Sequence, residues 1–352
     1  MKLPESVRRV AIPVEERLRR LFDGEHARWS AVDPDLGEPF AALRDYVLAG
    51  GKRLRPAFCY WAFVGAGGDP EDPCVVDAGA ALEMLHSAAL VHDDIIDGSL
   101  VRHGAETVHV RFGRLHRDHG WSGSPPRFGE GAAIVIGDLS LVYSSRLMAG
   151  APRQAVEVFE EMRLEVNVGQ YLDILGAAEG VRLPGDVAAQ RARRICRYKT
   201  AKYTIERPLH LGAALAAPAR LAELAGPLSE FGLPLGEAFQ LKDDLLGVFG
   251  DPAVTGKPVG DDLREGKPTL LAGLAASRQP GFADRYGASD LTEGEVRRLQ
   301  GIIESTGARA EVEKTVTELV ARSEEALRAL PLRREAVEAL ADLARFVAGR
   351  DR

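Results

Sequence analysis

The segment from Asp72 to Gly98 reads DPCVVDAGAALEMLHSAALVHDDIIDG and decides the fold class. Its apolar residues recur at steps of three and four, which is typical of a helix and not of a strand. Asp72 can cap the helix, Pro73 suits its first turn, and Gly98 suits its end. The segment therefore predicts one helix from about residue 73 to residue 97, roughly 37 Å long.

The rest of the chain has the same helical character. Ala, Leu, Glu and Arg are frequent, and runs of β-branched residues that alternate with polar residues are nearly absent. We predict further helices over about 37–49, 53–66, 131–149, 153–176, 186–216, 219–249, 268–278, 291–304, 307–328 and 334–348. Polar loops are predicted over 117–130, 176–186 and 250–267. Because no repeat or linker divides the helices, we predict a single all-α domain over residues 1–352, with about 1–35 at its periphery.

The composition excludes several classes of protein. With 45% hydrophobic and 28% charged residues, the chain has the balance of a globular protein and not of a disordered one. A net charge of −7 gives no electrostatic footprint for nucleic acid. The three scattered cysteines form no Cys-x-x-Cys pair and fit a reducing compartment. Because we find neither a signal peptide nor an apolar run of about 20 residues, we expect a cytoplasmic protein without a membrane span.

Two aspartates near the end of the 73–97 helix form a first acidic cluster. Within Val91-His-Asp-Asp-Ile-Ile-Asp97, Asp93 and Asp97 are four residues apart and therefore share one helical face. Carboxylates one turn apart repel each other unless a cation lies between them, and the negative end of the helix dipole disfavours them further. Hard oxygen ligands of this kind suit Mg²⁺. The alternative is a plain solvated helix end, against which the apolar residues before the cluster argue.

A second kind of metal chemistry is compatible with part of this segment. The pair His92-Asp93 resembles the His-Asp pair of the HD-type metal phosphohydrolases, which are also helical. Those enzymes need separate histidine and aspartate ligands as well. His86 lies six residues before His92, which puts it on a different face of the helix. The spacing therefore favours the two-aspartate interpretation.

A second acidic cluster lies in the segment Phe239-Gln-Leu-Lys-Asp-Asp-Leu-Leu-Gly247. Gln240 precedes Asp243 by three residues and Asp244 by four, so the three side chains can share one helical face. This cluster lies 146 residues beyond the first one (243 − 97 = 146), so the two can meet only through the fold. If they face each other, they form a cage for several Mg²⁺ ions and one diphosphate.

Together the two clusters resemble the aspartate-rich motifs of the trans-isoprenyl diphosphate synthases, Asp-Asp-x-x-Asp and Phe-Gln-x-x-Asp-Asp-x-x-Asp. The matching aspartates are Asp93, Asp94, Asp97, Asp243 and Asp244. Gly247 stands in place of the last aspartate of the second motif, usually the least essential one, so activity is expected to survive. The resemblance implies one large helical bundle of the isoprenoid synthase type around a central cavity, where these aspartates hold about three Mg²⁺ ions.

Basic residues accompany the aspartates in the family order. Gly51-Lys-Arg-Leu-Arg-Pro56 matches the family segment Gly-Lys-x-x-Arg-Pro. An arginine offers two parallel donors to a phosphate, although such a segment can also be a solvated basic face. Beside the aspartates, the resemblance implies that Lys52, Arg55 and His86 bind the diphosphate of isopentenyl diphosphate.

Positions farther along the chain also match the family. In Val101-Arg-His-Gly104, Arg102 is implied to contact the allylic diphosphate, whereas His103 replaces a second arginine and should alter the affinity for isopentenyl diphosphate. The remaining matches are Lys199, Thr200, Gln240, Lys257, Asp262 and Lys267. The resemblance places the three lysines on the allylic diphosphate and the threonine and glutamine beside the developing carbocation. It places Asp262 behind the metal ions.

The resemblance implies a reaction that needs no protein nucleophile. An allylic diphosphate of five, ten or fifteen carbons ionises, isopentenyl diphosphate attacks the carbocation, and a proton is lost. Ala89 and Leu85 lie one and two turns before Asp93, with Ala88 beside them, and should line the tunnel for the growing chain. Family members that stop at fifteen carbons have bulky aromatics at the positions of Ala88 or Ala89. We therefore predict geranylgeranyl diphosphate, or a longer polyprenyl diphosphate, as the product.

Two other functions stay open at this point. A class I terpene cyclase shares the helical fold and the first aspartate motif, but it normally has an Asn/Ser/Glu metal triad in place of the second cluster. A regulatory subunit that pairs with an active synthase would agree with Gly247 and His103, but such subunits usually lose aspartates of the first cluster. The resemblance also implies a homodimer.

Overall fold

The computed structural model describes residues 3–102, 104–180, 185–250, 260–288 and 290–349. The protein is 81% helical, which confirms the predicted all-α class. Within the described ranges the strands are β1 (Val101–Arg102) and β2 (Ala105–Glu106), which pair antiparallel with Val101 opposite Glu106.

The helices cover almost the whole length of the chain. Up to the second acidic cluster they are α1 (Glu5–Ser30), α2 (Gly37–Leu48), α3 (Leu54–Ala66), α4 (Pro73–Ile96), α5 (Val108–Asp118), α6 (Pro125–Leu147), α7 (Arg153–Glu179), α8 (Gly185–Ile195), a π-helix (Cys196–Glu206), α9 (Arg207–Ala216) and α10 (Leu221–Phe249). After it come α11 (Asp261–Glu265), α12 (Leu270–Arg278), α13 (Glu293–Ser305), α14 (Ala308–Arg328) and α15 (Arg334–Ala348). Short 3₁₀ turns lie at Pro34–Leu36, Pro218–Arg220 and Pro280–Phe282.

Helix α4 forms as its sequence predicts. The Asp72 side chain accepts a hydrogen bond from the Cys74 amide at 2.9 Å, and Pro73 is the first helical residue. Gly98 follows the end of the helix with φ +64°, a left-handed conformation that glycine adopts without strain. The helix packs against α1, α3 and α6, which fixes the direction in which its acidic end points.

Three helices were not predicted: α1, α5 and the short α11, which lies inside the predicted 250–267 loop. Helix α1 has a continuous apolar stripe that packs into the core: Val7, Val10, Val14, Leu18 and Phe22. Helix α1 thus packs against the core although it lies in the 1–35 segment that was predicted to be peripheral, and Pro13 and many charged residues obscure its pattern in the sequence. Helix α5 buries only a narrow face on an otherwise Arg- and His-rich segment. The predicted 117–130 loop is shorter than expected because Pro125 already begins α6.

The buried apolar side chains form two clusters that share α10. The larger cluster contains residues of α1, α2, α3, α4, α6, α7, α9 and α15, and it includes Phe231 and Leu235 from the first half of α10. The smaller cluster contains residues of α12, α13 and α14, and it includes Leu241 and Val248 from the second half of α10. The second acidic segment thus lies where α10 passes from one cluster to the other.

Helix α4 also corrects the expectation that no segment is apolar enough to cross a membrane. Among the described residues it passes this test by length and composition, with a mean hydropathy of 1.4 over an 18-residue window. However, 67% of that window is buried inside the protein, as in the core helix of a bundle.

Candidate active site

Asp93 connects α4 to the two elements beside it. Its Oδ1 accepts hydrogen bonds from Gln170 Nε2 of α7 at 2.7 Å and from Lys199 Nζ of the π-helix at 3.2 Å. The same ammonium group lies 2.5 Å from Asp173 Oδ2, also on α7. Burial disfavours the charged form of Lys199, but Asp173 and Asp93 outweigh it and raise the pKa of the amine. Lys199 is therefore a fixed cation at the end of α4.

Asp97 is located one turn beyond Asp93, at the solvent-facing end of the helix. Loss of solvation around the carboxylate and the charge of Asp93 raise its pKa to about 6. Lys199 and Lys267 act in the opposite direction without cancelling this effect. Because Asp93 and Asp97 repel each other and have two oxygen ligands to offer, their end of α4 suits a divalent cation.

Asp94, the middle aspartate of the first motif, points away from this face. It is only 1% exposed, and its two oxygens accept hydrogen bonds from Tyr46 Oη at 2.7 Å and from Arg102 Nε at 2.6 Å. Adjacent helical residues point in directions about 100° apart, so Asp94 cannot share the face of Asp93. This placement argues against the prediction that Asp94 is a metal ligand. It also shows that Arg102, a predicted contact of the allylic diphosphate, is paired with Asp94.

The second acidic cluster is joined to the π-helix by hydrogen bonds. Thr200 Oγ1 donates to Gln240 Oε1 at 2.6 Å, and Gln240 Nε2 donates to Asp244 Oδ1 at 2.7 Å. Asp244 is 7% exposed, and burial raises its pKa to about 7 despite the hydrogen bond from Gln240. Asp243 is half-buried next to it. Gln240 therefore shares a face with Asp244, four residues later.

The two clusters face a common region. Lys199 contacts the first cluster, and its neighbour Thr200 leads through Gln240 to the second. Lys267 provides a second link, because its positive charge opposes the rise in pKa of both Asp97 and Asp244. The fold therefore brings together two segments that are 146 residues apart in the sequence (243 − 97 = 146).

Glycines on both sides allow the wide π-helix to fit between α7 and α10. A Cβ atom at Gly169 of α7 would lie 2.4 Å from the Lys199 amide nitrogen. A Cβ atom at Gly236 of α10 would lie 2.5 Å from Cα of Ala201. Contacts this short do not occur with real side chains, so only glycine permits this approach. The backbone that carries Lys199 and Thr200 is thus held on two sides.

Lys267 and Asp262 form an ion pair beside α10. Lys267 Nζ lies 2.7 Å from Asp262 Oδ1 and 3.0 Å from Glu265 Oε2. Asp262 is buried, and its charge contributes to the raised pKa of Asp244. Asp262 therefore lies next to the second cluster, the region where it was predicted. The other predicted residues of this kind, Lys257 and His103, lie outside the described residues.

The predicted diphosphate ligands Arg55 and Lys52, at the start of α3, lie in different surroundings. Arg55 stacks on the ring of Tyr203 at 4.3 Å and donates to Thr204 Oγ1 at 2.9 Å. The His86 ring lies 6.1 Å from the same tyrosine, so Arg55 and His86 share one neighbourhood, as predicted. Exposed Lys52 lies 5.8 Å from the ring of Phe346 of α15.

Arg53, between the two predicted ligands, is a structural residue. It is buried with Glu83 at 2.5 Å and Glu15 at 3.2 Å, and it also donates to the Val47 carbonyl. Burial opposes its charge, but Glu83 and Glu15 together raise the pKa of its guanidinium. The sequence alone could not distinguish this arginine from Arg55.

The residues predicted to line the product tunnel lie on α4 above Asp93. Leu85 and Ala88 are fully buried, and Ala89 is half-buried. From α6, Ser140 Oγ donates to the Met84 carbonyl at 2.7 Å, so α6 packs closely along this part of α4. A surface pocket of about 440 Å³ lies elsewhere, between α1 and α2.

Gln170 and Asp173 contact the site but were not predicted. They are three residues apart on α7 and therefore share one face, which is turned toward Asp93 and Lys199. The spacing argument that selected Asp93 and Asp97 also applies to this pair. A polar pair at helical spacing in an otherwise apolar segment is the signal that could have found it.

The donors at this site fit Mg²⁺, although they do not form a finished cage. Among the described residues, no group of three or more His, Cys, Asp or Glu side chains is already arranged around a common point. Burial is the main cause of the raised pKa values of Asp97 and Asp244, and neighbouring carboxylates add to it. Mg²⁺ is commonly bound by one or two carboxylates and completed by phosphate oxygens and water, which this donor set allows.

The chain is similar to proteins of one family. The family model described as polyprenyl synthetase matches residues 38–302. The geranylfarnesyl diphosphate synthase of Aeropyrum pernix is 32% identical over 299 residues, with 81% of this chain and 85% of that protein covered. The geranylgeranyl diphosphate synthase of Mycobacterium tuberculosis (strain ATCC 25618 / H37Rv) is 33% identical over 316 residues, with 84% and 82% covered.

A solved structure agrees with these relatives. It is the geranylgeranyl pyrophosphate synthase from Corynebacterium glutamicum, complexed with isoprenyl diphosphate and magnesium. It superposes with a TM-score of 0.88 at 36% identity and covers 99% of this chain and 100% of that one. The matched residues 38–302 also contain both acidic clusters and the hydrogen bonds that connect them. The chain therefore belongs to the polyprenyl synthetase family and is a prenyltransferase.

Proposed function

We propose that this enzyme condenses isopentenyl diphosphate with an allylic diphosphate, in an Mg²⁺-dependent reaction that releases pyrophosphate and gives an all-E polyprenyl diphosphate. The observation that carries this proposal is the connected path from Asp93 through Lys199, Thr200 and Gln240 to Asp244. It brings two carboxylate clusters and a fixed cation to one place, which is what a diphosphate leaving group needs. The magnesium named with the similar corynebacterial enzyme supports the choice of metal.

Each residue of the path has a separate task in this proposal. Asp93 and Asp97 from α4, and Asp243 and Asp244 from α10, would hold the metal ions, which neutralise charge on the departing diphosphate. Lys199 stays protonated between Asp173 and Asp93 and can donate to a phosphate oxygen. The Thr200 hydroxyl donates a hydrogen bond to Gln240, so the lone pairs of its oxygen are available to a nearby cationic carbon.

The neighbourhood of Tyr203 is proposed to bind isopentenyl diphosphate. Arg55 offers a planar guanidinium, whose position is fixed by stacking on Tyr203 and by Thr204. His86 lies on the same tyrosine, and exposed Lys52 precedes α3. These three groups can bind a second diphosphate without competing for the carboxylates.

The preferred product is proposed to be geranylgeranyl diphosphate, with a longer polyprenyl diphosphate as the alternative. The small side chains of Ala88 and Ala89 leave the α4 wall above Asp93 without a bulky obstacle. The names of the two relatives, geranylgeranyl and geranylfarnesyl diphosphate synthase, span these two outcomes.

We further propose that the enzyme is a cytoplasmic homodimer. Helix α6 exposes Ile134, Val135 and Val142, and α7 exposes Leu164, Val168, Tyr171 and Ile174. On α7 these residues recur at steps of three and four and form a stripe, and on α6 Val135 and Val142 lie two turns apart with Ile134 beside them. Apolar stripes of this size are typical of protein interfaces.

One incubation tests the proposed function. The pure full-length protein is mixed with Mg²⁺, isopentenyl diphosphate and either the C5, C10 or C15 allylic diphosphate, and the product length is read by mass spectrometry. We expect pyrophosphate release and a C20 or longer polyprenyl diphosphate, both abolished by EDTA. A cyclic hydrocarbon would show a terpene cyclase instead. Absence of any product from all three primers would contradict the proposal.

A further inference from the structure

Glu165 is a buried acid of α7 that the proposed reaction does not use. It is 8% exposed, and both of its oxygens accept hydrogen bonds. Arg207, the first residue of α9, donates from Nε to Oε2 at 2.6 Å and from Nη2 to Oε1 at 2.7 Å. Lys202 Nζ of the π-helix donates to Oε1 at 2.5 Å. Burial opposes the charged form of Glu165, but the hydrogen bonds from Arg207 and Lys202 outweigh it and lower the pKa of this acid.

The side chains around Glu165 are balanced in charge. Glu206, the last residue of the π-helix, lies 3.3 Å from Lys202 Nζ and accepts a hydrogen bond from Ser229 Oγ of α10 at 2.6 Å. Burial lowers the pKa of the adjacent His210, which favours its neutral form. Two carboxylates therefore face two cations, and removal of one would leave a buried charge unpaired. These four residues form what we call the anchor cluster: Glu165, Lys202, Glu206 and Arg207.

The anchor cluster continues a series of contacts between α7 and the π-helix. Glu165, Gly169 and Asp173 are each four residues apart and share one face of α7. Asp173 pairs with Lys199 Nζ at 2.5 Å, and Gly169 admits the Lys199 backbone. Glu165 adds a contact at Lys202, farther along the π-helix. Contacts at several points along the π-helix fix how far it can slide or rotate against α7.

The π-helix carries contacts to both proposed diphosphate sites. Lys199 and Thr200 connect the two acidic clusters. Tyr203 and Thr204, one turn later, hold the guanidinium of Arg55. A movement of the π-helix would therefore displace groups in both sites together.

We propose that Glu165 is a positioning residue for both diphosphate sites, because it fixes the π-helix through Lys202 and Arg207. The inference rests on the proposed function, since it assumes that Lys199 and Arg55 bind the two substrates. Glu165 itself touches neither of these residues by a hydrogen bond or an ion pair among its described contacts. It acts on them through the backbone of the π-helix.

Substitutions in the anchor cluster give opposite expectations. Glu165→Gln keeps the size of the side chain but leaves one positive charge unpaired, so the π-helix should move. We expect kcat/KM to fall by about 100-fold, the cost of misplacing a reacting group by about 1 Å, and the KM values of both substrates to rise. Lys202→Met in the same protein removes the unpaired charge and leaves Arg207 to hold position 165. This double variant should recover most of the lost kcat/KM.

The experiment is steady-state kinetics of the full-length protein with Mg²⁺, in which isopentenyl diphosphate and the allylic diphosphate are varied in turn. The matched control is Glu161→Gln, one turn earlier on α7. Glu161 is exposed, and its charge contributes to the raised pKa of Arg207. This control removes a charge near Arg207 and should leave both KM values unchanged. Thermal unfolding of each variant shows whether it is folded.

The outcomes separate this inference from the function on which it rests. If the wild-type protein forms no product, the proposed function itself fails. If the wild type is active and a folded Glu165→Gln protein keeps both KM values, the inference is overturned even if kcat falls, because a loss of folded enzyme lowers kcat alone. A rise in only one KM value also overturns it.

The double variant and a milder substitution complete the test. A folded Glu165→Gln/Lys202→Met protein that stays as weak as Glu165→Gln overturns the inference, because the unpaired charge would then not be what moves the π-helix. If either of these proteins does not fold, Arg207→Lys decides, since it keeps the charge and loses the two parallel hydrogen bonds to Glu165. Unchanged KM values in that variant reject the inference, and a rise in both supports it.

Discussion

At the scale of single residues, the ligand-free site contains negative charge whose burial is unfavourable. Lys199 balances Asp93 and Asp173, but Asp244 is buried next to Asp262 with only an amide hydrogen bond to its carboxylate from Gln240 among its described contacts. Burial and the charge of Asp262 raise the pKa of Asp244, so protonation relieves the charge in the ligand-free protein. Stability of the ligand-free protein should therefore depend on pH.

The first prediction concerns Asp244 in metal-free protein. Its pKa is about 7 when folded and 3.8 as a free side chain, so below pH 4 it contributes nothing. Between pH 4 and 7 the unfolded chain ionises first, and the folded state loses stability as pH rises. Above pH 7 the full cost, on the order of 4 kcal/mol at 1.36 kcal/mol per pKa unit, is present. Asp244→Asn should remove it.

Thermal unfolding in EDTA at pH 4 and pH 8 checks this prediction. At pH 8 we expect Asp244→Asn to melt at a higher temperature than wild type, and at pH 4 we expect the two to coincide. Mg²⁺ with pyrophosphate should reverse the order at pH 8, because only wild type gains the bound ion. Equal melting temperatures of the two proteins at pH 8 in EDTA would contradict the raised pKa.

The second prediction concerns product length. Ala89 lies one turn before Asp93 and is half-buried, so a phenylalanine here should close the path of the growing chain. We expect Ala89→Phe to shift the product from C20 toward C15, with Ala89→Leu intermediate, as measured by mass spectrometry. Ala88→Phe should act similarly but less cleanly, because Ala88 is fully buried and overpacking costs about 1–3 kcal/mol. An unchanged chain length in all three variants would refute the tunnel assignment.

The sequence predicts which polar residues of a helix are candidates for the site, but it predicts the direction of each side chain only in part. The four-residue spacing of Asp93 and Asp97 predicts that they share one face, whereas the adjacent Asp94 pairs with Tyr46 and Arg102. The contact with Tyr46 depends on α2, which is 48 residues away in the sequence, and the contact with Arg102 depends on the turn that leads from α4 into β1. Contacts of this kind need the fold before they can be assigned.

At the scale of secondary structure, the sequence predicts one helix over 186–216 where the protein has three consecutive helical segments. The middle one is the π-helix Cys196–Glu206, which lies between α7 and α10. Gly169 and Gly236 admit it from both sides. The position of Lys199 and Thr200 is therefore a property of three helices together.

The third prediction tests this packing. Gly169→Ala places a Cβ atom 2.4 Å from the Lys199 amide nitrogen, so the π-helix must shift by more than a side-chain adjustment. We expect a loss of about 1–3 kcal/mol in stability, as for other overpacked positions, and a fall in kcat because Lys199 moves. Chemical denaturation and steady-state kinetics measure the two effects.

Gly301→Ala in α13 is the matched control for this substitution. Nothing lies within 4 Å of a Cβ atom at Gly301, so alanine should fit and stabilise the helix by about 0.5–1 kcal/mol. If Gly169→Ala behaves like this control, with unchanged kcat and slightly higher stability, the close approach of α7 to the π-helix does not hold in solution.

At the scale of the whole molecule, the exposed apolar residues of α6 and α7 form the proposed dimer interface. They flank the end of α4, since Gln170 of α7 donates a hydrogen bond to Asp93 at 2.7 Å and the His92 ring of α4 lies 3.2 Å from the Ile134 carbonyl oxygen of α6. A second copy that covers them would therefore press on the helices that position the first acidic cluster. A standard interface buries about 1,600 Å² in total, which two helical stripes per subunit can supply.

The fourth prediction is that charge on these stripes separates the subunits. Leu164 is 64% exposed on α7, so Leu164→Glu should fold normally as a monomer, whereas a buried interface position cannot accept an unpaired carboxylate. The control is Val32→Glu, which alters an equally exposed apolar residue outside the two helices and should leave the dimer intact. Analytical ultracentrifugation at micromolar concentration measures the mass of each variant. A monomeric wild type would exclude the proposed dimer. A Leu164→Glu protein that sediments as wild type does would place the interface elsewhere. We also expect activity to fall when the subunits separate, and in either of these cases a loss of activity would need another cause.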